Sequence, residues 1–182
     1  MARVPYLDQA DLAPQNRDLL ARNINLYRAL AHSPEAARNF MNVGRYIRYH
    51  SRLDPRLREM AILQVGYVTR SPYEYSHHIK IGRDFGVTDD DIRAIEAETR
   101  GEKTALPDLA RTILRAAREL AAQPNLSDAT FGELKKGLDN EGLVDLLLTI
   151  SFYCCVVRLL AALQIDVEED YMQYLREFPL PA

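Results

Sequence analysis

The sequence is poor in cysteine, in tryptophan and in the residues that form tight turns. Its 182 residues include two cysteines, eight glycines, nine prolines and no tryptophan. The two cysteines, Cys154 and Cys155, are adjacent, so they provide neither a disulfide framework nor the ligand spacing of a zinc site. No run of alternating β-branched residues is present either. These absences exclude a disulfide-rich scaffold and a many-turned β protein, and they favour a reducing compartment.

The sequence also lacks a strong excess of charge. It has 23 Lys and Arg against 26 Asp and Glu, a net charge of −3, so a general surface for nucleic acid is not expected. Asp8 and Asp11 stand where a secretion signal would need apolar residues. Asp145 and Arg158 interrupt the longest apolar stretch, 143–165, and the roughly twelve uncharged residues between them are too few to span a membrane. We therefore expect a cytoplasmic protein that binds neither nucleic acid nor membrane.

What the sequence does contain is helical periodicity with recognisable helix starts. Asp54-Pro55 and Ser71-Pro72 mark two of these starts, and Ser71 with Glu74 has the spacing of a capping box. Apolar residues recur at intervals of three and four over several segments, among them 14–31, 55–69, 72–85, 107–121 and 143–165. These patterns predict an all-α protein that forms a single domain over residues 1–182. The apolar helix 143–165 is expected to lie between other helices or at a subunit interface.

The densest cluster of reactive side chains lies between residues 58 and 87. Glu59 begins a helix that is apolar on nearly every face, so its carboxylate is expected to be partly buried. Glu74 lies one turn before His78 on the next helix, and the short connection lets the two helices pack antiparallel. Glu59, Glu74 and His78 are therefore predicted to handle a proton together. The alternative is that the same residues form a structural network, and no metal is predicted because His77 and His78 diverge.

This region resembles the carboxymuconolactone decarboxylase family, which includes the alkyl-hydroperoxidase (AhpD-like) proteins. The resemblance rests on three segments, RLREMAILQVG at 56–66, PYEYSHH at 72–78 and the GVTDDDI turn at 86–92. It implies an AhpD-like bundle of about seven to nine helices, with a family core at about 40–120 and terminal helices that complete the fold and an oligomer interface. It also implies a homo-oligomer, a trimer or a hexamer.

The peroxidase branch of the family has the pattern Glu-x11-Cys-x2-Cys-x3-His, which this sequence meets only in part. Glu59 and His78 match, but Ser71 and Glu74 occupy the cysteine positions. A hydroperoxide reductase of the AhpD type is therefore disfavoured, since its chemistry needs both thiols.

The resemblance then implies a lyase without a cofactor or a metal, acting on a small carboxylated lactone or a related metabolite of aromatic degradation. Its catalytic residues would be Glu59, Glu74 and His78. The expected substrate-binding residues are Arg58, Arg70, Tyr73, Tyr75 and His77. A non-catalytic helical oligomer remains the second possibility.

Overall fold

The computed structural model describes residues 2–181, and within them the fold is entirely helical. It contains nine α-helices: α1 (Asn25–Leu30), α2 (Pro34–Tyr49), α3 (Pro55–Val68), α4 (Pro72–Asp84), α5 (Asp89–Thr99), α6 (Asp108–Ala122), α7 (Asp128–Gly137), α8 (Asn140–Leu163) and α9 (Met172–Glu177). Three short 3₁₀ helices, Gln9–Asp11, Pro14–Leu20 and Glu169–Tyr171, complete the secondary structure. The all-α fold predicted from the sequence is confirmed within these residues. The single domain over 1–182 stays a prediction.

Helix α3 lies at the centre of the fold and packs against α4, α5, α6 and α8. Every residue from Arg58 to Tyr67 is buried. One apolar cluster joins α3 to α1, α6 and α8, and a second joins it to α4, α5 and α9. The helix starts where the sequence predicts, since the Asp54 side chain accepts a hydrogen bond from the Leu57 N–H and Pro55 is the first helical residue. A helix surrounded in this way explains why its sequence is apolar on nearly all faces.

Helices α3 and α4 form an antiparallel pair joined by a sharp reversal of the chain. Arg70 in this reversal adopts the left-handed conformation with φ 51°. A Cβ atom placed on Gly66 would lie 3.2 Å from the Tyr75 backbone nitrogen, so the two backbones nearly touch at this point. A Cβ atom on Gly82 would lie 3.6 Å from Glu59 at the opposite end of the pair. The start of α3 therefore faces the second half of α4.

Two predictions about helix starts were wrong. The segment 14–31 is not one helix, because a 3₁₀ helix ends at Leu20 and Ile24 is extended at the start of α1. Ser71 and Glu74 do not form a capping box, since the Ser71 side chain makes no capping hydrogen bond. The Glu74 carboxylate turns to His78 instead.

Helix α8 has the length and composition of a membrane-spanning helix, and it is the one helix of this kind among the described residues. It packs against α3, α4, α6 and α7, and 44% of its most apolar window is buried. A helix in the core of a protein can have the same length and composition. The expectation that the protein does not bind a membrane therefore stays a prediction. The face that no other helix covers includes Val144, which is 64% exposed, and Leu148, which is 39% exposed.

Candidate functional site

The His78 imidazole lies between two buried carboxylates. Its Nδ1 is 2.7 Å from Oε2 of Glu59, which projects from the first turns of α3. Its Nε2 is 2.9 Å from Oε1 of Glu74, one turn earlier on α4. The second contact is a close ion pair, and Glu74 Oε1 has no other partner among the described residues. All three side chains are at most 5% exposed.

Arg58 lies behind this network. Its Nε and Nη2 each donate a hydrogen bond of 3.1 Å to Oε1 of Glu59, and its Nη1 donates to the backbone carbonyl of Arg48. The guanidinium also stacks 4.6 Å from the centre of the Phe85 ring. Arg58 is buried and does not line the cavity described below, so the structure does not place it where it could hold a substrate. Its position instead supports the charge of Glu59.

The surrounding charges set the protonation of the network. Burial alone would lower the pKa of His78, but Glu59 and Glu74 outweigh it and raise the pKa above its ordinary value of 6.5. Burial alone would raise the pKa of Glu59, but His78, Arg58 and Arg48 lower it below its ordinary value of 4.5. The two carboxylates therefore favour the imidazolium form of His78, and the surrounding cations favour the ionised form of Glu59. The side chains that share this proton are almost fully buried.

The network lies at the wall of a cavity of about 280 Å³. The segment 18–27, α2, α4 and α8 form its walls, and Glu74 and His78 line it together. Tyr153 of α8 packs its ring edge to face with His78, with 4.9 Å between the ring centres. Its hydroxyl makes no hydrogen bond within the described part of the chain. The Tyr153 ring thus forms an aromatic wall of the cavity beside His78.

Three arginines line the same cavity without an acidic partner among residues 2–181. They are Arg22, Arg45 and Arg48. The Nε of Arg48 is buried and has no hydrogen-bond acceptor. Burial favours the neutral form, but Tyr153 and Glu59 nearby outweigh it and raise the pKa of Arg48. Arg48 is half-buried with its Nε unsatisfied, so its guanidinium is suited to an anion from outside the chain, and Arg22 and Arg45 add positive charge at the same wall.

Sequence reasoning missed these arginines because they precede the segments on which it focused. The signal was present in the segment RYIRY at 45–49, which places Arg45, Arg48 and Tyr49 at intervals of three and four on one face of α2.

His77 and Tyr73 take part in a contact between the two ends of the chain. The His77 ring stacks on Tyr73 and on Tyr171, with ring centres 4.1 and 3.6 Å apart. Its Nε2 is 3.1 Å from Oε2 of Glu168. Oε1 of Glu168 accepts hydrogen bonds from the Asn25 N–H and the Tyr73 hydroxyl. Both predicted residues line the cavity, but their polar atoms already serve this contact.

Comparisons with known proteins agree with this architecture. Residues 34–101, which include Glu59, Glu74 and His78, match the model of the carboxymuconolactone decarboxylase family. The match covers less than half of the chain, so it shows a similarity to the carboxymuconolactone decarboxylase family over this segment. A search of the curated proteins gives no significant match. The decarboxylase-family segment holds the proton network, while the segment 18–27 and α8 supply the other walls of the cavity.

Fifteen chains of solved structures match significantly, and three of them illustrate the fold. An uncharacterised peroxidase-related protein from Ralstonia eutropha with an alkylhydroperoxidase AhpD core has a TM-score of 0.80 at 20% identity, over 96% of this chain and 95% of its own. The debrominase Bmp8, as a variant in complex with 2,3,4-tribromopyrrole, has a TM-score of 0.79 at 18% identity, over 97% and 99%. A protein of unknown function from Agrobacterium tumefaciens has a TM-score of 0.68 at 19% identity, over 76% and 94%. These likenesses show the AhpD-like fold.

Two of the predicted substrate-binding residues, Tyr75 and Arg70, lie away from the cavity. Tyr75 is 1% exposed and packs against Tyr67, with ring centres 5.7 Å apart, because its position on α4 faces α3. Arg70 lies in the reversal before α4 and lines a separate groove. The structure therefore brings together Glu59, Glu74 and His78, with Tyr73 and His77 at the cavity, and leaves Tyr75 and Arg70 outside.

The cysteines also lie outside the site. Cys154 is buried, and burial raises the pKa of its thiol, which opposes formation of a thiolate. Cys155 is exposed, which corrects the expectation that both cysteines lie inside a buried helix.

Among the described residues, no three His, Cys, Asp or Glu side chains are arranged to hold a metal ion. Both nitrogens of His78 already face carboxylates. That the protein works without a metal or a cofactor stays a prediction.

Proposed function

We propose that this protein is a cofactor-free lyase that acts on a small carboxylated lactone or a related metabolite of aromatic degradation. The observation that carries the proposal is the imidazole ring of His78, held between Glu59 and Glu74 at the wall of a cavity that Arg22, Arg45 and Arg48 also line. A buried acid beside cations is suited to a reaction in which an anionic substrate takes up a proton.

In the proposed reaction the bond between a ring carbon and its carboxylate carbon breaks, and carbon dioxide leaves. The electron pair of that bond enters the conjugated lactone, and a ring carbon then takes a proton. His78 supplies this proton through Nε2, because Glu59 holds Nδ1 in a short hydrogen bond away from the cavity, whereas Nε2 faces Glu74 at the cavity wall. Solvent returns the proton to the network after each turnover.

Arg48 takes the anchoring role that the sequence assigned to Arg58 or Arg70. It lines the cavity with Arg22 and Arg45, and its guanidinium can bind a carboxylate that the reaction leaves in place. The apolar ring of Phe152 and the ring of Tyr153 provide a dry surface for the carboxylate that departs. The debrominase of the same fold holds 2,3,4-tribromopyrrole, which supports a small ring compound as the ligand.

Thiol-dependent hydroperoxide reduction is the disfavoured alternative. Ser71 and Glu74 stand at the two cysteine positions, and neither side chain can form a disulfide. The other alternative is a non-catalytic oligomer in which the same network only stabilises the fold.

A paired assay tests the proposal. The purified protein is given a carboxylated muconolactone and, separately, an organic hydroperoxide with dithiothreitol. We expect release of carbon dioxide, a loss of about 10²–10⁴-fold in rate for His78→Gln in a still-folded protein, and no loss for the double change Cys154→Ala and Cys155→Ser. A cysteine-dependent hydroperoxide reductase rate would overturn it in favour of the first alternative. Inactivity of the wild type on both substrates would favour the second.

A further inference from the structure

A second groove lies beside the reversal between α3 and α4, along the last turns of α8. It has a volume of about 460 Å³ and is lined in part by Arg70, Ser71, Arg158 and Gln164. No acidic residue lines it. The groove therefore carries two positive charges that no side chain in its walls balances.

Ser71 gives this groove a buried polar group without a partner. The residue is 8% exposed, it lines the groove, and it stands at the N-terminus of the 13-residue helix α4. Its side chain makes no capping bond, and it has no other hydrogen bond within residues 2–181. The first N–H groups of a helix lack partners inside the helix and carry a partial positive charge. A hydroxyl in this place, free to donate, completes a set of donors suited to an oxyanion.

The two arginines are also free to bind a ligand. Arg70 makes no side-chain hydrogen bond or ion pair within the described chain, and Arg158 donates one bond of 2.7 Å to the Cys154 carbonyl. Arg70 and Gln164 are the two non-glycine residues of the described chain with positive φ, at 51° and 54°, and both line this groove. The reversal of the chain at each residue turns its side chain toward the same space.

The remaining wall of the groove is apolar. Val157, Leu160 and Ile165 are buried beneath it, and Pro72 and Ala161 lie at its edges. A ligand that matches both parts has an oxyanion head group and a compact apolar body.

We propose that this groove binds a small organic anion, with its carboxylate or phosphate at Ser71 between Arg70 and Arg158 and its apolar body against α8. This site is separate from the cavity at His78, and the proposal does not depend on the reaction proposed there. The two spaces share Tyr73 as a wall residue.

Calorimetric titration of the full chain tests the proposal with three probes of similar shape. Phenyl phosphate and benzoate carry the two candidate head groups, and benzyl alcohol carries none. We expect at least one of the anions to bind and benzyl alcohol not to bind measurably. The changes Arg70→Gly and Arg158→Gln should each weaken the anion about tenfold, because each removes a charge-assisted hydrogen bond. Glycine is chosen at position 70 because it adopts a positive φ without strain.

Two control variants separate this groove from other sites. Arg115→Gln removes an exposed arginine of α6, and Arg48→Gln removes the half-buried arginine of the first cavity. We expect anion binding to persist in both and to weaken strongly when Arg70→Gly and Arg158→Gln are combined. Any binding left in the combined variant should disappear when Arg48→Gln is added, with circular dichroism showing that each variant is folded. Equal binding of benzyl alcohol would overturn the proposal. The proposal would also be overturned if Arg48→Gln lost anion binding while the combined groove variant kept it.

Discussion

Glu59 is held from two sides, by the guanidinium of Arg58 and by the imidazole of His78, while only 1% of its side chain is exposed. The change Glu59→Gln removes the negative charge and leaves both cations buried without it. We expect a loss of about 3–5 kcal/mol in the free energy of unfolding, measured by urea denaturation. Glu133→Gln is the matched control, since Glu133 is half-exposed on α7 and pairs only with Lys136. A loss for Glu59→Gln no larger than for Glu133→Gln would mean that the network contributes little to stability.

The network also predicts how stability changes with pH. Because the folded pKa of His78 is raised, its contribution is complete below the ordinary value of 6.5 and is lost as pH rises through the folded pKa. Because the folded pKa of Glu59 is lowered, its contribution is complete above the ordinary value of 4.5 and is lost as pH falls through the folded pKa. The network should therefore stabilise the fold most between these two values.

Thermal unfolding from pH 4 to pH 9 measures this effect. We expect the difference in melting temperature between the wild type and His78→Gln to be largest between the two ordinary values and to shrink on the alkaline side. A difference that is constant over the whole range would contradict the protonation assigned to His78.

Residue-level prediction succeeded where local geometry decides the outcome. The contact between Glu59 and His78 follows from one sharp reversal between two helices, which the sequence marks with Ser71-Pro72. The position of the arginine that we propose as the substrate anchor could not be predicted from the sequence. Arg58, next to Glu59 in sequence, pairs with it and is unavailable, while Arg48 reaches the cavity only because α2 packs beside α4 and α8. That packing depends on the tertiary fold.

At the scale of helices, α3 and α4 approach each other most closely at Gly66. A methyl group there would lie 3.2 Å from the nitrogen and 3.3 Å from the Cα atom of Tyr75, both backbone atoms. We expect Gly66→Ala to lower the free energy of unfolding by about 1–3 kcal/mol, because the helices must separate. Gly132 in α7 is the control, since a methyl group there meets nothing within 4 Å. Gly132→Ala should stabilise by about 0.5–1 kcal/mol through helix propensity alone. Urea denaturation measures both changes in the free energy of unfolding. If both substitutions stabilise the protein, or both destabilise it, the close approach of α3 and α4 at Gly66 is contradicted.

Helix starts were predictable where a side chain caps the backbone. The Asp54 side chain caps α3, as the Asp54-Pro55 pair predicts, and the Thr88 side chain caps α5 in a full capping box with Asp91. The segment 14–31 was mistaken for one helix because its apolar spacing fits a 3₁₀ helix followed by a short α-helix as well as it fits a continuous one. Ser71 shows the opposite case, because His78, one turn later on the same helix, takes the Glu74 carboxylate that a capping box would use.

At the scale of the whole molecule, the open face of α8 supports the proposal that the chain forms a homo-oligomer. Val144 and Leu148 are large apolar side chains exposed one turn apart on the uncovered face of α8. We expect sedimentation velocity at micromolar concentration to give a trimer or a hexamer. The double change Val144→Asp and Leu148→Asp should shift the protein toward the monomer without loss of helix content. A wild-type chain that sediments as a monomer would contradict the proposal.

The cavity at His78 is assembled from two sources. The proton network lies inside the family segment 34–101, whereas Arg22, Tyr27 and Tyr153 on the opposite walls lie outside it. Glu168 accepts hydrogen bonds from the Asn25 N–H at the start of α1 and from the Tyr73 hydroxyl on α4. Segments near both ends of the chain therefore hold the outer walls in place. The segment 34–101 therefore contributes the proton network together with Arg45 and Arg48, and parts of the chain outside it complete the walls. A change in those outer parts would alter the shape of the cavity while it leaves the network of Glu59, Glu74 and His78 in place.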